Sequence, residues 1–375
     1  MIKMSNMDLR TKRLLMWSKN EKAPPFQLTV GVTDYCNLTC RFCMNWLSRD
    51  RKNIPQKKEL DQDTLIRIIK ECGKLGVKVV NVSGGGEPFF NKSKMLSVME
   101  EIKKHNMDGS TTSNGTLIDD DAADRIVKIG WNRINFSIDG SCAETHDYLR
   151  YKPGSFDRTM NTILSINKYK KKYASLFPKL GINFVVVDLN YLEIKSLLSL
   201  AQNNNIETIT FIPVTVHHHE GKQLKLKQEN HAKFSKIIQE SIVYAEKMKL
   251  TTNLLDLCDT SLVEKSNKMD EFLIQKPKKT KITNNFLNIP CYEPWLSLVV
   301  HSDGYYDPCE MNTKLADIRE ASIEELWYNG DHFNRVRDQF AQNKIPETCS
   351  KCCEPLVMRN HNLRNKLRKM MENEN

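Results

Sequence analysis

Apolar residues recur along the first part of the chain with two periods that take turns. Residues 26–33 read as a strand, set off by Pro24 and Pro25, which break any preceding helix. Asp61 stands where a helix N-cap belongs, ahead of Leu65, Ile68, Ile69, Cys72 and Leu75 at helical spacing. A strand over 77–82 follows, then a helix marked by Met95, Val98, Met99 and Ile102. The alternation continues as strand 110–113, helix 119–129 and strand 133–138, with Ile134, Phe136 and Ile138 on one side. Helix 156–169, strand 179–187, helix 191–202 and strand 208–214 complete it. This rhythm predicts parallel β/α units in a full or partial barrel, and the pattern alone fits an open doubly wound sheet as well.

The rhythm stops after residue 222. A helix over 234–245 leads into polar, lysine-rich sequence ending near Pro277, which reads as a bridge. Beyond it, 295–301 and 305–307 read as strands joined around Asp303-Gly304, a two-residue hairpin signal. Helices over 322–327 and 332–342 follow. The expected organisation is an extension over 1–25, a core over 26–225, a bridge over 226–285 and a small α+β domain over 286–375. The charged, amphipathic start (Leu9, Leu14, Leu15, Trp17) lacks the apolar core of a signal peptide. No apolar run is long enough for a membrane span.

Composition narrows the classes. A chain of 375 residues with 40% hydrophobic content supports a large core. The net charge of +10 permits nucleic acid or acidic substrates, but lysine and arginine concentrate at 168–172, 276–281 and 359–369, read as solvated faces. No RNA-binding signature accompanies them, which leaves nucleic acid a minority reading. Eleven cysteines without an export signal indicate metal ligands and buried thiols in a reducing cytoplasm. Cys72 and Cys258 read as packing, and Cys142 as a bystander thiol.

The chemistry concentrates at Cys36, Cys40 and Cys43, directly after the first strand. A structural zinc site closes with four ligands, and no Cys or His follows before Cys72. A four-iron cluster is normally held by four thiolates, so three leave one iron open to a small molecule. Gly84, Gly85, Gly86 and Glu87, followed by Pro88, lie after the second strand, where glycine lets backbone approach a ligand closely. Both motifs thus fall at strand carboxyl ends, where α/β barrels place their chemistry. Ser113 and Asn114 end the third strand, and Ser137-Ile138-Asp139-Gly140 the fourth. His217, His218 and His219, with Glu220, follow the sixth, a possible substrate contact or proton shuttle. Neighbours on an extended segment face opposite sides, so the three imidazoles cannot share one metal.

With the cysteine triad, Phe42 before its third member and the Gly84–Pro88 run, the first part of the chain resembles the radical S-adenosylmethionine (radical SAM) superfamily. The resemblance implies a partial (β/α)6 barrel of TIM type, an α/β fold. It also implies a [4Fe–4S] cluster whose open iron chelates SAM, reductive cleavage to a 5′-deoxyadenosyl radical, and hydrogen abstraction from substrate. By the same resemblance Gly84, Gly85, Gly86 and Glu87 hold the methionine amino group, Phe42 lies beside adenine and Ser137 contacts SAM. Arg150 and Arg158 both qualify for the SAM carboxylate, with Arg158 favoured.

The last stretch holds Cys291, Cys309, Cys349, Cys352 and Cys353, and spacing alone allows zinc or a cubane cluster. Together with Gly304, these cysteines resemble the SPASM/twitch extension of radical SAM enzymes, which carries auxiliary [4Fe–4S] clusters. A full SPASM domain has more cysteines and two clusters, so the likeness is to a twitch domain with one, held by Cys291, Cys309, Cys349 and Cys352, with Cys353 a spare or substitute ligand. Such enzymes imply a reductant such as flavodoxin or ferredoxin, and oxidation, cross-linking or epimerisation of a peptidyl or carbohydrate substrate. The short stretch before the first strand is too small for a leader-binding domain, which weakens the peptide reading without excluding it, because a separate protein can supply recognition. The alternatives are an RNA-modifying radical SAM enzyme and a non-catalytic electron carrier. The glycine loop argues against the carrier, which needs no SAM pocket.

Overall fold

The structure is a computed structural model that describes residues 8–43, 59–215, 219–258, 285–309, 316–342, 344, 349 and 354–374. Its strands are β1 (Gln27–Val30), β2 (Val79–Val82), β3 (Asp108–Ser113), β4 (Arg133–Ser137), β5 (Lys179–Val186), β6 (Thr208–Pro213), β7 (Thr251–Thr252), β8 (Ser297–Val300) and β9 (Tyr306–Asp307). They belong to two compact units. One comprises Gly31–Ile66 and Asn81–Thr260, the other Met1–Val30, Arg67–Val80 and Ser261–Asn375.

In the larger unit the strands run in the order β7-β6-β5-β4-β3-β2, and the pairs from β3 to β7 are all parallel. Parallel neighbours require crossovers. Lys92–Lys104, Asp120–Ile129, Ser155–Lys172, Ile194–Asn203 and His231–Lys247 supply them as helices. Local chemistry sets their ends. Asp61 accepts from Thr64 N at 2.7 Å, Asp119 accepts from Ala122 N at 2.9 Å, and Gly130 closes its helix in the left-handed conformation. Ile134, Phe136 and Ile138 are buried together, as their alternation predicts. This is the expected α/β architecture, and the sheet is open rather than a closed barrel.

In the smaller unit β1 runs parallel to β8, pairing Leu28 with Leu298, and β8 runs antiparallel to β9. Leu14, Leu15, Phe26, Tyr292, Trp295, Leu363 and Leu367 share one apolar core. Arg13 locks the helix Leu9–Ser18 to two later segments of the chain, donating to Pro25 O at 2.5 Å and Gly76 O at 2.6 Å. The hairpin forms, but its connection is three residues rather than two. His301 N donates to Tyr305 O, Gly304 N donates to His301 O, and Gly304 takes φ +92° to complete the turn.

Four sequence expectations need correction. Trp295 and Leu296 lie in the helical turn Glu293–Leu296, not in a strand, because a short apolar run carries no period. The helix Ala143–Arg150 was not expected, its residues being mostly polar. Cys258 is exposed rather than packed. The basic run 359–369 is a solvated face only in part: it lies in the helix Glu354–Glu374, where Lys366 and Lys369 are exposed but Asn360, Leu363 and Leu367 are buried. There Arg359 pairs with Glu293 at 2.6 Å, and Arg364 donates to Ile289 O at 2.6 Å. The run 168–172 does present solvated lysines, and 276–281 lies outside the described residues.

That packing is measurable. Leu367→Ala, which empties a fully buried position, is expected to destabilise the protein by about 2–5 kcal/mol in denaturant unfolding. Lys369→Ala, two residues on and exposed, should change it by less than about 0.5 kcal/mol.

Candidate functional site

The stretch that leaves β1 is fastened before it reaches the cysteines. Thr33 Oγ1 and Asp34 N both donate to Glu59 Oε1, at 2.9 and 2.8 Å. The Lys94 ammonium, withdrawn from solvent, donates to Val32 O at 2.9 Å and Leu60 O at 2.7 Å. Residues 32–34 and 59–60 are thereby held together, and desolvation lowers the Lys94 pKa.

The glycine run packs on this stretch. Gly86 N donates to Thr33 O at 3.0 Å, and Glu87 N to Tyr35 O at 2.8 Å. A Cβ at Gly86 would stand 2.0 Å from Tyr35 O. At Gly85, where φ is +57°, it would stand 2.1 Å from Asp34 Oδ1. Glu87 turns inward, 3% exposed, and accepts from Ser113 Oγ at 2.7 Å, Asn114 N at 2.7 Å and Phe89 N at 3.2 Å. Burial raises its carboxyl pKa and these donors oppose the rise. Asn114 continues the chain of contacts: its Nδ2 donates to Asn37 Oδ1 at 3.0 Å and to Cys36 Sγ at 3.9 Å. Leu38 N also donates to Cys36 Sγ, at 3.4 Å.

Cys40 is buried, and Arg150 Nη1 donates to its sulfur at 3.5 Å. Arg150 also pairs with Asp139 at 2.5 Å and lies over the Phe42 ring at 5.4 Å. Asp139 accepts from Val185 N at 2.7 Å, and its own N–H donates to His146 Nδ1 at 3.2 Å. Burial pulls the His146 pKa down to about 3, so the ring stays neutral. The guanidinium beside the cysteine loop is therefore that of Arg150. Arg158, favoured from the sequence, is exposed and donates to Pro153 O at 3.3 Å. Ser137 is half-buried in β4, and Phe42 and Cys43 are half-buried in the cysteine loop. Cys142 is exposed. His217 and His218 lie outside the described residues, and no side-chain position is described for His219 or Glu220.

In the smaller unit, Cys291 and Cys349 pack against the core named above. Glu293 N donates to Cys291 Sγ at 3.5 Å, and burial pushes that thiol up to about 12. Cys309 follows β9 by two residues, and the antiparallel register returns the chain toward the Cys291 end of β8. Tyr292 N donates to Asn360 Oδ1 at 2.7 Å, which ties the last helix to the Cys291 segment. Cys352 and Cys353, just before that helix, lie outside the described residues.

These residues fit iron–sulfur ligation. Among the described residues no three His, Cys, Asp or Glu side chains close around a single ion. The Cys36–Cys43 loop offers thiols alone, and Leu38 N, Asn114 Nδ2 and Arg150 Nη1 donate to two of its sulfurs, as befits thiolates holding a cluster. Burial pushes the Cys40 thiol up to about 11 despite Arg150, so metal must displace its proton. Sequence reasoning had the triad and the glycine run. It did not assign Arg150 to Cys40, nor Glu59 and Lys94 to the base of the loop, because those contacts join residues distant in sequence.

Comparison with known proteins agrees. Residues 30–214 match the family model of the radical SAM superfamily, and residues 291–353 match that of the SPASM iron–sulfur cluster-binding domain. GTP 3′,8-cyclase of Clostridium perfringens is 31% identical over 208 residues, 53% of this chain and 58% of that protein. The chain thus spans less than two thirds of that relative. AdoMet-dependent heme synthase of Methanosarcina barkeri is 26% identical over 352 residues, 90% of this chain and 87% of that protein. Among solved structures, Streptococcus suis SuiB bound to S-adenosylmethionine superposes with a TM-score of 0.62 at 16% identity, covering 86% of this chain and 70% of SuiB. The chain carries a radical SAM domain over residues 30–214 and a SPASM domain over residues 291–353. Domains of the first kind bind a [4Fe–4S] cluster and SAM, and domains of the second bind iron–sulfur clusters. No helix among the described residues is long and apolar enough to cross a membrane.

The crowding at Gly86 yields a test. Gly86→Ala must move the Tyr35 carbonyl or the loop itself. SAM affinity of the reconstituted protein, measured by equilibrium dialysis, is expected to fall about tenfold or more, some 1.4 kcal/mol.

Proposed function

We propose that the chain cleaves SAM reductively at the Cys36–Cys43 loop and uses the resulting radical to oxidise a C–H bond of a peptidyl substrate. The carrying observation is the fusion of the two motifs: Gly86 and Glu87 bond to the backbone just before Cys36, and Asn114 links Glu87 to Cys36. A [4Fe–4S] cluster on Cys36, Cys40 and Cys43, when bound, supplies the electron that breaks the SAM sulfonium and releases a 5′-deoxyadenosyl radical.

The chain's own residues do the positioning. Gly84, Gly85 and Gly86, having no side chains, let the loop backbone come close to the methionine amino group of SAM. Glu87 is already bonded to three donors, so its part is to fix the loop against Ser113 and Asn114 rather than to take a proton. Phe42, with Arg150 on its face, offers an aromatic surface for adenine. Ser137, at the end of β4, is the proposed contact for the SAM carboxylate. Cys291, Cys309, Cys349 and Cys352 are the proposed ligands of one auxiliary cluster, which gives the substrate radical's electron somewhere to go.

A peptide is favoured because structures sharing this fold include SuiB bound to the precursor peptide SuiA and anSMEcpe bound to the Cp18Cys peptide. A tetrapyrrole is the second reading, supported by the match to a heme synthase along most of the chain. A separate recognition protein and a flavodoxin or ferredoxin reductant belong to the peptide reading.

The test is anaerobic reconstitution with iron counts and detection of 5′-deoxyadenosine. Wild type is expected to hold about eight irons and to cleave SAM under dithionite, and the Cys36→Ala/Cys40→Ala/Cys43→Ala variant about four, with no cleavage. Zinc alone in wild type, or SAM left intact, would sink the proposal. Deuterium transferred into 5′-deoxyadenosine from a labelled peptide supports the first substrate class, and transfer from a labelled porphyrin precursor supports the second.

A further inference from the structure

Arg150 is 7% exposed, and its surroundings are unlike those of a packing residue. A buried guanidinium is costly unless paired. Asp139 Oδ2 at 2.5 Å provides the pair, the Phe42 ring covers one face at 5.4 Å, and Nη1 donates to Cys40 Sγ at 3.5 Å. Arg150 Nε is buried and makes no hydrogen bond.

Every member of this group is fixed by backbone. Arg150 ends the helix Ala143–Arg150, where the helix dipole favours a cation. Arg41 N donates to Leu149 O at 2.9 Å, which ties the cysteine loop to the residue before Arg150. Asp139 is held by Val185 N on its carboxylate and by Asn190 Nδ2 on its carbonyl, at 2.7 and 2.9 Å. The distance from guanidinium to sulfur is therefore set by both elements.

We propose that Arg150, oriented by Asp139, sets the reduction potential of the cluster held by Cys36, Cys40 and Cys43. A positive donor on a ligand sulfur stabilises the state that has gained an electron, and hydrogen bonds to sulfur are among the levers that tune such clusters. Asp139 acts on the same electron with opposite sign, through its charge. The electron comes from an external low-potential reductant, and no bond in the protein is made or broken. The inference rests on the three cysteines holding a cluster.

The test is a redox titration of the full chain, reconstituted anaerobically and followed by electron paramagnetic resonance on the signal that changes when SAM is added. Arg150→Gln is expected to lower the midpoint, Asp139→Asn to raise it and Arg150→Lys to lie between Arg150→Gln and wild type. Arg125→Gln, on the surface beside Glu100, is expected to leave it unchanged. Midpoints of Arg150→Gln and Asp139→Asn equal to wild type, or moved in one common direction, overturn the assignment while the cluster reading stands. If Arg150→Gln fails to hold iron, Asp139→Asn decides: a raised midpoint supports the assignment, and an unchanged or lowered one overturns it. A wild-type protein with no SAM-responsive cluster overturns both.

Discussion

A carboxylate withdrawn from water holds the glycine and cysteine loops together. Removing the charge of Glu87 from solvent costs several kcal/mol unless its oxygens are met, and three donors meet them, on Ser113, Asn114 and Phe89. Those donors come from the end of β3 and from the turn after the glycine run. Satisfying one side chain therefore fixes two strand ends against each other. The constraint then passes outward through hydrogen bonds: Glu87 N to Tyr35 O on one side, Asn114 Nδ2 to Cys36 Sγ on the other. Two motifs separated by some forty residues of chain thus become one rigid object, as a site preorganised for a ligand requires.

The smaller unit repeats the device with different partners. Glu293, 2% exposed, accepts from Ser297 Oγ and pairs with Arg359. Its own N–H donates to the sulfur of Cys291. Arg359 stands on the last helix, so the buried carboxylate ties the Cys291 segment to the helix Glu354–Glu374. In both units a glutamate close to a proposed ligand is spent on structure. That explains why neither carboxylate is free to serve as an acid or base.

The fold was readable where one period governs one element. Ile134, Phe136 and Ile138 declared their strand, and Leu65, Ile68, Ile69 and Cys72 their helix, because burial follows the period of the backbone. Reading failed where burial is arranged by distant partners. The helix Ala143–Arg150 carries few apolar residues, and it is stabilised by what its ends touch: Asp147 accepts from Gly154 N, Ser155 Oγ and Phe156 N. The basic run of the last helix looked solvated because charge was weighed without its partners, Glu293 and the Ile289 carbonyl. That Arg150, rather than Arg158, is the arginine beside Cys40 was illegible for the same reason. Both come after the Ser137–Gly140 run at plausible distances, and only the fold shows that Arg150 turns inward to Cys40.

Buried arginines separate a packing role from a chemical one. Arg13 is neutralised by carbonyls alone, those of Pro24, Pro25 and Gly76. Arg337 lies between Trp17 and Trp327, at 4.7 and 4.5 Å, and donates to Pro294 O and Trp327 O. Burial lowers its pKa to about 9. Carbonyls and ring faces are the partners of a cation whose task is to join segments, and they add no net charge. Arg150 has a carboxylate and a cysteine sulfur instead, and their attraction outweighs desolvation, so its pKa is raised. A fold that needed only a brace there had the cheaper solution at hand, and it used that solution twice. Anionic partners at Arg150 make sense when the neighbouring sulfur is itself to be an anion.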